Sequence, residues 1–180
     1  MKYFAAQVKT RSEEKYIKLF RAIYPQYGIN LYFPLREMRE RREGVVVPKR
    51  LPVFPGYIFV ELDDEEDIVF FARDFRKIDG FYRFLKSNID IRPLEGRDLE
   101  LALHFIKKRN AVAGVSKVYF NENDKIVVVY GALQGLEGQI VKIDKRKGRA
   151  KIKMDLCGEG FLVDLAFETI AMPSKNKLSS

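Results

Sequence analysis

Near Asn110 the hydrophobic pattern of this chain changes period, and the change limits what the chain can fold into. Before it, short apolar strands alternate with amphipathic helical stretches. After it come only short strands separated by turns, at residues 125–130, 137–144, 149–156, 161–166 and 169–172. With 180 residues there is room for one large or two small domains. The reading is α+β: a mixed first domain over residues 1–110, a weakly patterned linker over 111–120, a small all-β barrel over 121–173 and a frayed tail over 174–180.

Within the first part, Tyr3 to Val8 reads as a strand. Ser12 is the expected N-cap of a helix with Glu13 and Glu14 in its first turn. Tyr16, Ile17, Leu19, Phe20, Ile23 and Tyr24 recur at helical spacing until Pro25 and Gly28 stop it. A strand is expected over 31–35, then a charged hairpin or loop over 36–50. Pro52, Pro55 and Gly56 force a turn, and a strand of β-branched and aromatic residues follows at once. Ile68, Phe71 and Phe75 give a second helix its apolar side, and 80–85 reads as another strand. A third helix, from Asp98 to about Asn110, carries Leu99, Ala102, Leu103 and Ile106 on one face.

Charge sets the partner class. Lys and Arg number 33 against 25 Asp and Glu, a net +8, which suits a polyanion. The excess has two addresses. Residues 142–153 hold seven basic residues against one acid, and residues 36–50 hold six against three. In 149–154, Ala150, Ile152 and Met154 alternate with Arg149, Lys151 and Lys153, so an inward apolar row implies an outward basic one. Such a run is either an ordinary solvated face or a compact patch that gains affinity by releasing counterions from phosphates.

Other chemistries have little support. The single Cys157 cannot form an intramolecular disulfide, and with His104 it cannot complete a usual zinc ligand set, so no metal is expected and a reducing compartment is. His104 sits in a helix with no nucleophile at workable spacing. Asp63 to Asp67 lack the glycine and terminal Glu of a calcium loop and read as helix-start acids; a magnesium nuclease built on Asp63, Asp64 and Glu66 is a distant alternative. No apolar run is long enough for a membrane span, and the amino terminus turns charged too soon for a signal peptide. In the strand at 57–60, Tyr57 and Phe59 share one face and Ile58 and Val60 the other. If helices cover one face only, one set is exposed as a partner site; otherwise both sets are core.

The run Phe54-Pro55-Gly56-Tyr57-Ile58-Phe59-Val60, followed by Gly131-Ala132-Leu133-Gln134-Gly135-Leu136-Glu137-Gly138-Gln139-Ile140-Val141-Lys142-Ile143-Asp144, resembles bacterial NusG-type transcription elongation factors, over nearly the whole chain. The resemblance implies an NGN domain, an antiparallel sheet with helices, followed by a KOW (SH3-like) barrel. It also implies a cytoplasmic monomer that is not an enzyme and uses no cofactor. In that family the aromatic side of the NGN domain docks on the β′ clamp helices of RNA polymerase; the matching positions are Phe4, Phe54, Tyr57, Phe59, Phe81 and Phe84. Asp63 to Glu66 match a polymerase- or DNA-contacting position by place alone. Cys157 stands where typical members carry a large aromatic residue that contacts ribosomal protein NusE or termination factor Rho.

The basic stretch is most similar to the LoaP-type antiterminators, which implies that Lys142, Lys145, Arg146, Lys147, Arg149, Lys151 and Lys153 contact a nascent leader RNA hairpin. Arg39, Arg41, Arg42, Lys49 and Arg50 become candidate contacts to non-template DNA. A general NusG factor, with a barrel that binds NusE or Rho, is the alternative.

Overall fold

A computed structural model describes residues 1–64, 67–85 and 88–172. Glu65, Glu66 and the tail expected over 174–180 lie outside them. The chain forms two compact units. Among the described residues, the first comprises 1–35, 52–112 and 155–159; the second comprises 36–51, 113–154 and 160–172.

The first unit is built on β1 (Lys2–Val8), β2 (Asn30–Tyr32), β5 (Tyr57–Leu62) and β6 (Phe81–Phe84), in the order β2-β5-β1-β6 with antiparallel pairing. Register places Ala6 opposite Ile58 on one side and Phe84 on the other. On one face Phe4, Ala6, Val8, Ile58, Val60 and Phe84 meet Tyr16, Ile17 and Phe20 of α1 (Glu13–Ile23) and Ile68, Ala72 and Phe75 of α2 (Asp67–Lys77). Each large apolar side chain buried there stabilises the unit by about 1.5–3 kcal/mol. The one polar atom Tyr16 brings in is satisfied, since its hydroxyl donates to the Phe75 carbonyl at 2.6 Å.

The opposite face is covered as well. Phe54 lies 5.6 Å from Phe59 and 5.6 Å from Phe105 of α3 (Gly96–Ile106), in both cases edge to face. The expectation of an exposed aromatic set is therefore corrected. Phe4 and Phe84 belong to the helix-covered core, and Phe54, Tyr57 and Phe59 are buried on the other face. β5 is buried along almost its whole length because helices occupy both sides of the sheet.

Ser12 stands at the N-cap of α1, but its side chain makes no capping bond. The neighbouring Glu13 turns inward, is buried, and accepts the Gly56 N–H at 2.7 Å. Gly56 has φ +83, and a Cβ there would sit 2.9 Å from Thr10 Oγ1. The Pro55–Gly56 turn is thus pinned to the start of α1 by a bond that a larger residue would disturb.

On α2, Asp74 accepts from Lys77 Nζ at 2.7 Å and from the Tyr27 hydroxyl at 2.6 Å. These bonds, Lys77's first, hold its carboxyl below the usual aspartate range. A lowered folded pKa contributes stability that is present above the unfolded value and lost as pH falls through the folded one. Asp74→Asn is expected to flatten the acid limb of the stability curve between about pH 2 and 5 while changing its slope near neutrality little, as read from urea midpoints.

The second unit contains a five-stranded sheet in the order β10-β11-β12-β8-β9, made of β8 (Ser116–Phe120), β9 (Ile126–Tyr130), β10 (Ile140–Asp144), β11 (Arg149–Leu156) and β12 (Glu159–Thr169). β8 and the short β7 (Val112–Ala113) occupy the stretch expected to be a linker. The pattern hid β8 because Ser116 fills a fully buried inward position, where its Oγ accepts the Leu133 N–H at 3.0 Å. The strand expected at 161–166 runs on to Thr169, where Phe167, Glu168 and Thr169 pair in parallel with Ser116, Lys117 and Val118; residues 170–172, expected in a further strand, lie past its end. The charged segment is a hairpin, β3 (Leu35–Arg42) and β4 (Val45–Pro52), turning at Glu43–Gly44. It lies in sequence within the expected first domain, but residues 36–51 belong to the second unit.

Candidate nucleic-acid interface

The β10–β11 pair carries out what its alternation predicts. Ala150, Ile152, Met154 and Leu156 are buried, while Lys153 is exposed and Arg149 and Lys151 are half-buried. Antiparallel register sets Lys142 opposite Lys151 and Asp144 opposite Arg149, so four charged side chains share one face. Lys147 joins them from the turn, where its N–H donates to Asp144 Oδ1 at 2.9 Å. Together with Asp164 of β12 these residues line a notch of about 160 Å³. Asp164 pairs with Lys151 at 3.2 Å. The notch therefore has four cations and two carboxylates around it.

The remaining predicted RNA contacts lie outside the notch. The Lys145 ammonium pairs with Asp124 and stands 4.1 Å from the centre of the Phe120 ring, so part of its charge is already used. Arg146 is exposed at the turn. Gly148 closes that turn with φ +60, and a Cβ there would come within 2.5 Å of the Phe167 carbonyl oxygen. Phe167 in turn donates its N–H to the Gly148 carbonyl at 2.8 Å, which seats the basic turn against β12.

The second predicted patch belongs to the same unit as the first. Arg36 donates to the Asp164 carbonyl, Arg39 pairs with Glu168 at 3.6 Å, and Arg149 Nη2 donates to the Arg39 carbonyl at 3.2 Å. Burial lowers the pKa of the Arg36 guanidinium, Asp164 opposes this, and the nearby Arg149 adds to it. Lys49 and Arg42 both pair with Glu40, at 3.0 and 3.6 Å, while Arg41 and Arg50 are exposed. Arg36 and Asp164 were absent from the predicted site. Arg36 had a signal, as a base in the charged hairpin; Asp164, on a strand with no charge run, had none.

The aromatic set is distributed differently. Phe4, Phe54, Tyr57, Phe59 and Phe84 are buried, Phe81 is half-buried, and the neighbouring Tyr82 is 57% exposed. Burial first, then the nearby Glu159 carboxylate, raises the Tyr57 phenol above its usual range. Cys157 sits in a turn at φ +52 with its N–H donated to Asp98 Oδ1 at 2.8 Å.

Residues 1–103 match the family described as "Transcription termination factor nusG". The chain belongs to the NusG family. The Transcription termination/antitermination protein NusG of Thermus thermophilus is 30% identical over 145 residues, covering 76% of this chain and 77% of that protein. Its counterpart in Bacillus subtilis is 24% identical over 85% of this chain and 80% of its own length, and that of Pasteurella multocida 23% identical over 93% and 88%. NusG proteins form a family of transcription factors rather than of enzymes. The NusG family match spans β1 to β6 and most of α3, including the β3–β4 hairpin; the notch-bearing β10–β11 pair lies beyond it. Among the described residues, no group of three His, Cys, Asp or Glu side chains is placed to hold a metal, and no helix is long and apolar enough to cross a membrane.

Proposed function

We propose that this chain is a specialised NusG paralog of the LoaP type, a processive antitermination factor. It binds RNA polymerase through the first unit and a nascent leader RNA hairpin through the second, with β8–β12 serving as the KOW module. The observation that carries this reading is the convergence of Lys142, Lys147, Arg149 and Lys151 on one notch, in a basic stretch of seven bases against one acid. Concentrated charge on a turn and its flanking strands suits the phosphate edges of a structured RNA, read more by shape than by base sequence. The factor acts by population shift: it binds the elongating polymerase more tightly than the paused one, and only that difference matters.

Transcription through a terminator with purified polymerase and the full chain tests it. Readthrough is expected on a template that carries the chain's own upstream leader, and not when that leader is scrambled. Equal readthrough from both removes RNA recognition from the mechanism. In this reading the polymerase-facing surface is the β6 edge, with the half-buried Phe81 and the exposed Tyr82, since Phe4, Phe54, Tyr57, Phe59 and Phe84 are buried. Tyr82→Ala is expected to weaken polymerase binding with an unfolding free energy within about 0.5 kcal/mol of the parent, as surface substitutions usually are. Unchanged polymerase affinity takes β6 out of the interface.

The names of the curated relatives support a second reading, a general NusG termination/antitermination factor; under that reading the KOW module contacts NusE or Rho. Capture of either protein by the full chain, with no preference for the leader RNA, selects it.

A further inference from the structure

The β10–β11 face holds its cations in an arrangement that is unfavourable as it stands. Lys142 and Lys151 are directly opposed across the two strands, a placement that costs stability for like charges. Among the described residues Asp164 pairs with one of them, Lys151. Asp144 is engaged by the Lys147 backbone N–H at the turn. Arg149 has one nitrogen, Nη2, tied to the Arg39 carbonyl, and its Nε is buried with no acceptor among the described residues. A buried donor left unpaired is destabilising. Arg36 brings a further guanidinium close to Arg149. Opposed lysines and an arginine with a second guanidinium close to it leave four cations against two carboxylates around one small polar notch, an excess that describes a place short of one anion.

We propose that this notch seats a single backbone phosphodiester of the bound RNA, with Lys142, Lys147 and Lys151 around it and Arg149 supplying directional donors. The proposal rests on the RNA reading above and adds to it a fixed register point, since a general basic coat would hold any phosphate equally. The two carboxylates have a role in this: Asp164 holds Lys151 and Asp144 holds the turn, so less side-chain entropy remains to be lost when the phosphate enters. The β3–β4 hairpin contributes through the Arg39 carbonyl, which fixes one end of the Arg149 fork. An arginine held in this way presents its Nη N–H groups in one plane, which a lysine cannot reproduce.

The test uses the full chain and a short, fully paired RNA hairpin in which each phosphate in turn is replaced by an uncharged methylphosphonate. One linkage is expected to cost the parent protein about tenfold in affinity, the scale of a charge-assisted bidentate contact, and the others much less. Arg149→Lys, which keeps the charge, is expected to lose a similar factor and to become insensitive to that one linkage. Lys142→Ala, an exposed position that folding tolerates, is expected to show the same selective insensitivity, and Lys153→Ala, outside the notch, is not. Equal sensitivity at every linkage in all four proteins overturns the single seat while leaving RNA binding intact. Displacement of the hairpin by inorganic phosphate, with sulfate at equal ionic strength inert, also overturns it by assigning the notch to the free anion. No binding of the hairpin or of the chain's own leader by the parent overturns the RNA reading itself.

Discussion

Replacing Lys145, Arg146 and Lys147 together with alanine lowers the slope of log RNA affinity against log salt by about two units, and affinity at moderate salt falls on the order of 10- to 100-fold. Charge counting alone assigns three contacts to these residues, and each contact is worth roughly 0.7–0.9 of a unit. The structure reduces the number. Lys145 is already paired with Asp124 and stands over the Phe120 ring, so removing it releases an acid as well as a base. Arg146 and the Lys147 side chain are exposed and count in full. Lys147 also holds the turn through its backbone N–H, which alanine retains, so the loss reports charge rather than collapse of the turn. A salt series on the full chain measures it. A slope unchanged within half a unit would show that the turn tip does not touch phosphate.

Phe75→Ala is expected to cost the first unit about 3–5 kcal/mol, the range for deleting a fully buried aromatic ring. Phe75 is completely buried, stacks on Phe20 with ring centres 4.2 Å apart and meets the edge of Phe84 at 5.5 Å. Its carbonyl also receives the Tyr16 hydroxyl, so any shift of α2 to fill the cavity strains a buried hydrogen bond. Against a total stability of about 5–15 kcal/mol the loss is a large fraction, and the melting temperature should drop by on the order of 10 °C or more. Thermal and urea unfolding of the variant read this directly. A loss below about 1 kcal/mol would mean that Phe20, Phe84 and their neighbours close over the space.

The sequence carried local periodicity well and distant pairing poorly. β11 was legible because its residues alternate strictly, and α1 and α2 because their apolar positions recur at helical spacing. β8 was not, because a buried serine satisfied by a backbone N–H cannot be told from an exposed one by polarity. The burial of Tyr57 and Phe59 depended on α3 and Phe54 returning to the second face of the sheet, which the strand itself does not encode. The basic residues of the candidate site were all visible as charge. Their convergence was not, since the contact between Arg36 and Asp164 joins positions 128 apart in the chain.

That separation sets a schedule for synthesis. The hairpin at 36–51 leaves the ribosome early with Val45, Val46 and Val47 exposed, but the strands of its own unit are complete only at Thr169, about 120 residues later. At roughly 5–20 residues per second the hairpin waits on the order of ten seconds before the β12 groups that anchor Arg36 and Arg39 exist. During that interval it is a solvated basic ribbon beside whatever nucleic acid surrounds the translating complex. A cut near residue 110 would make the wait permanent, and an isolated carboxy-terminal fragment would lack both the hairpin and the carbonyl that steadies Arg149.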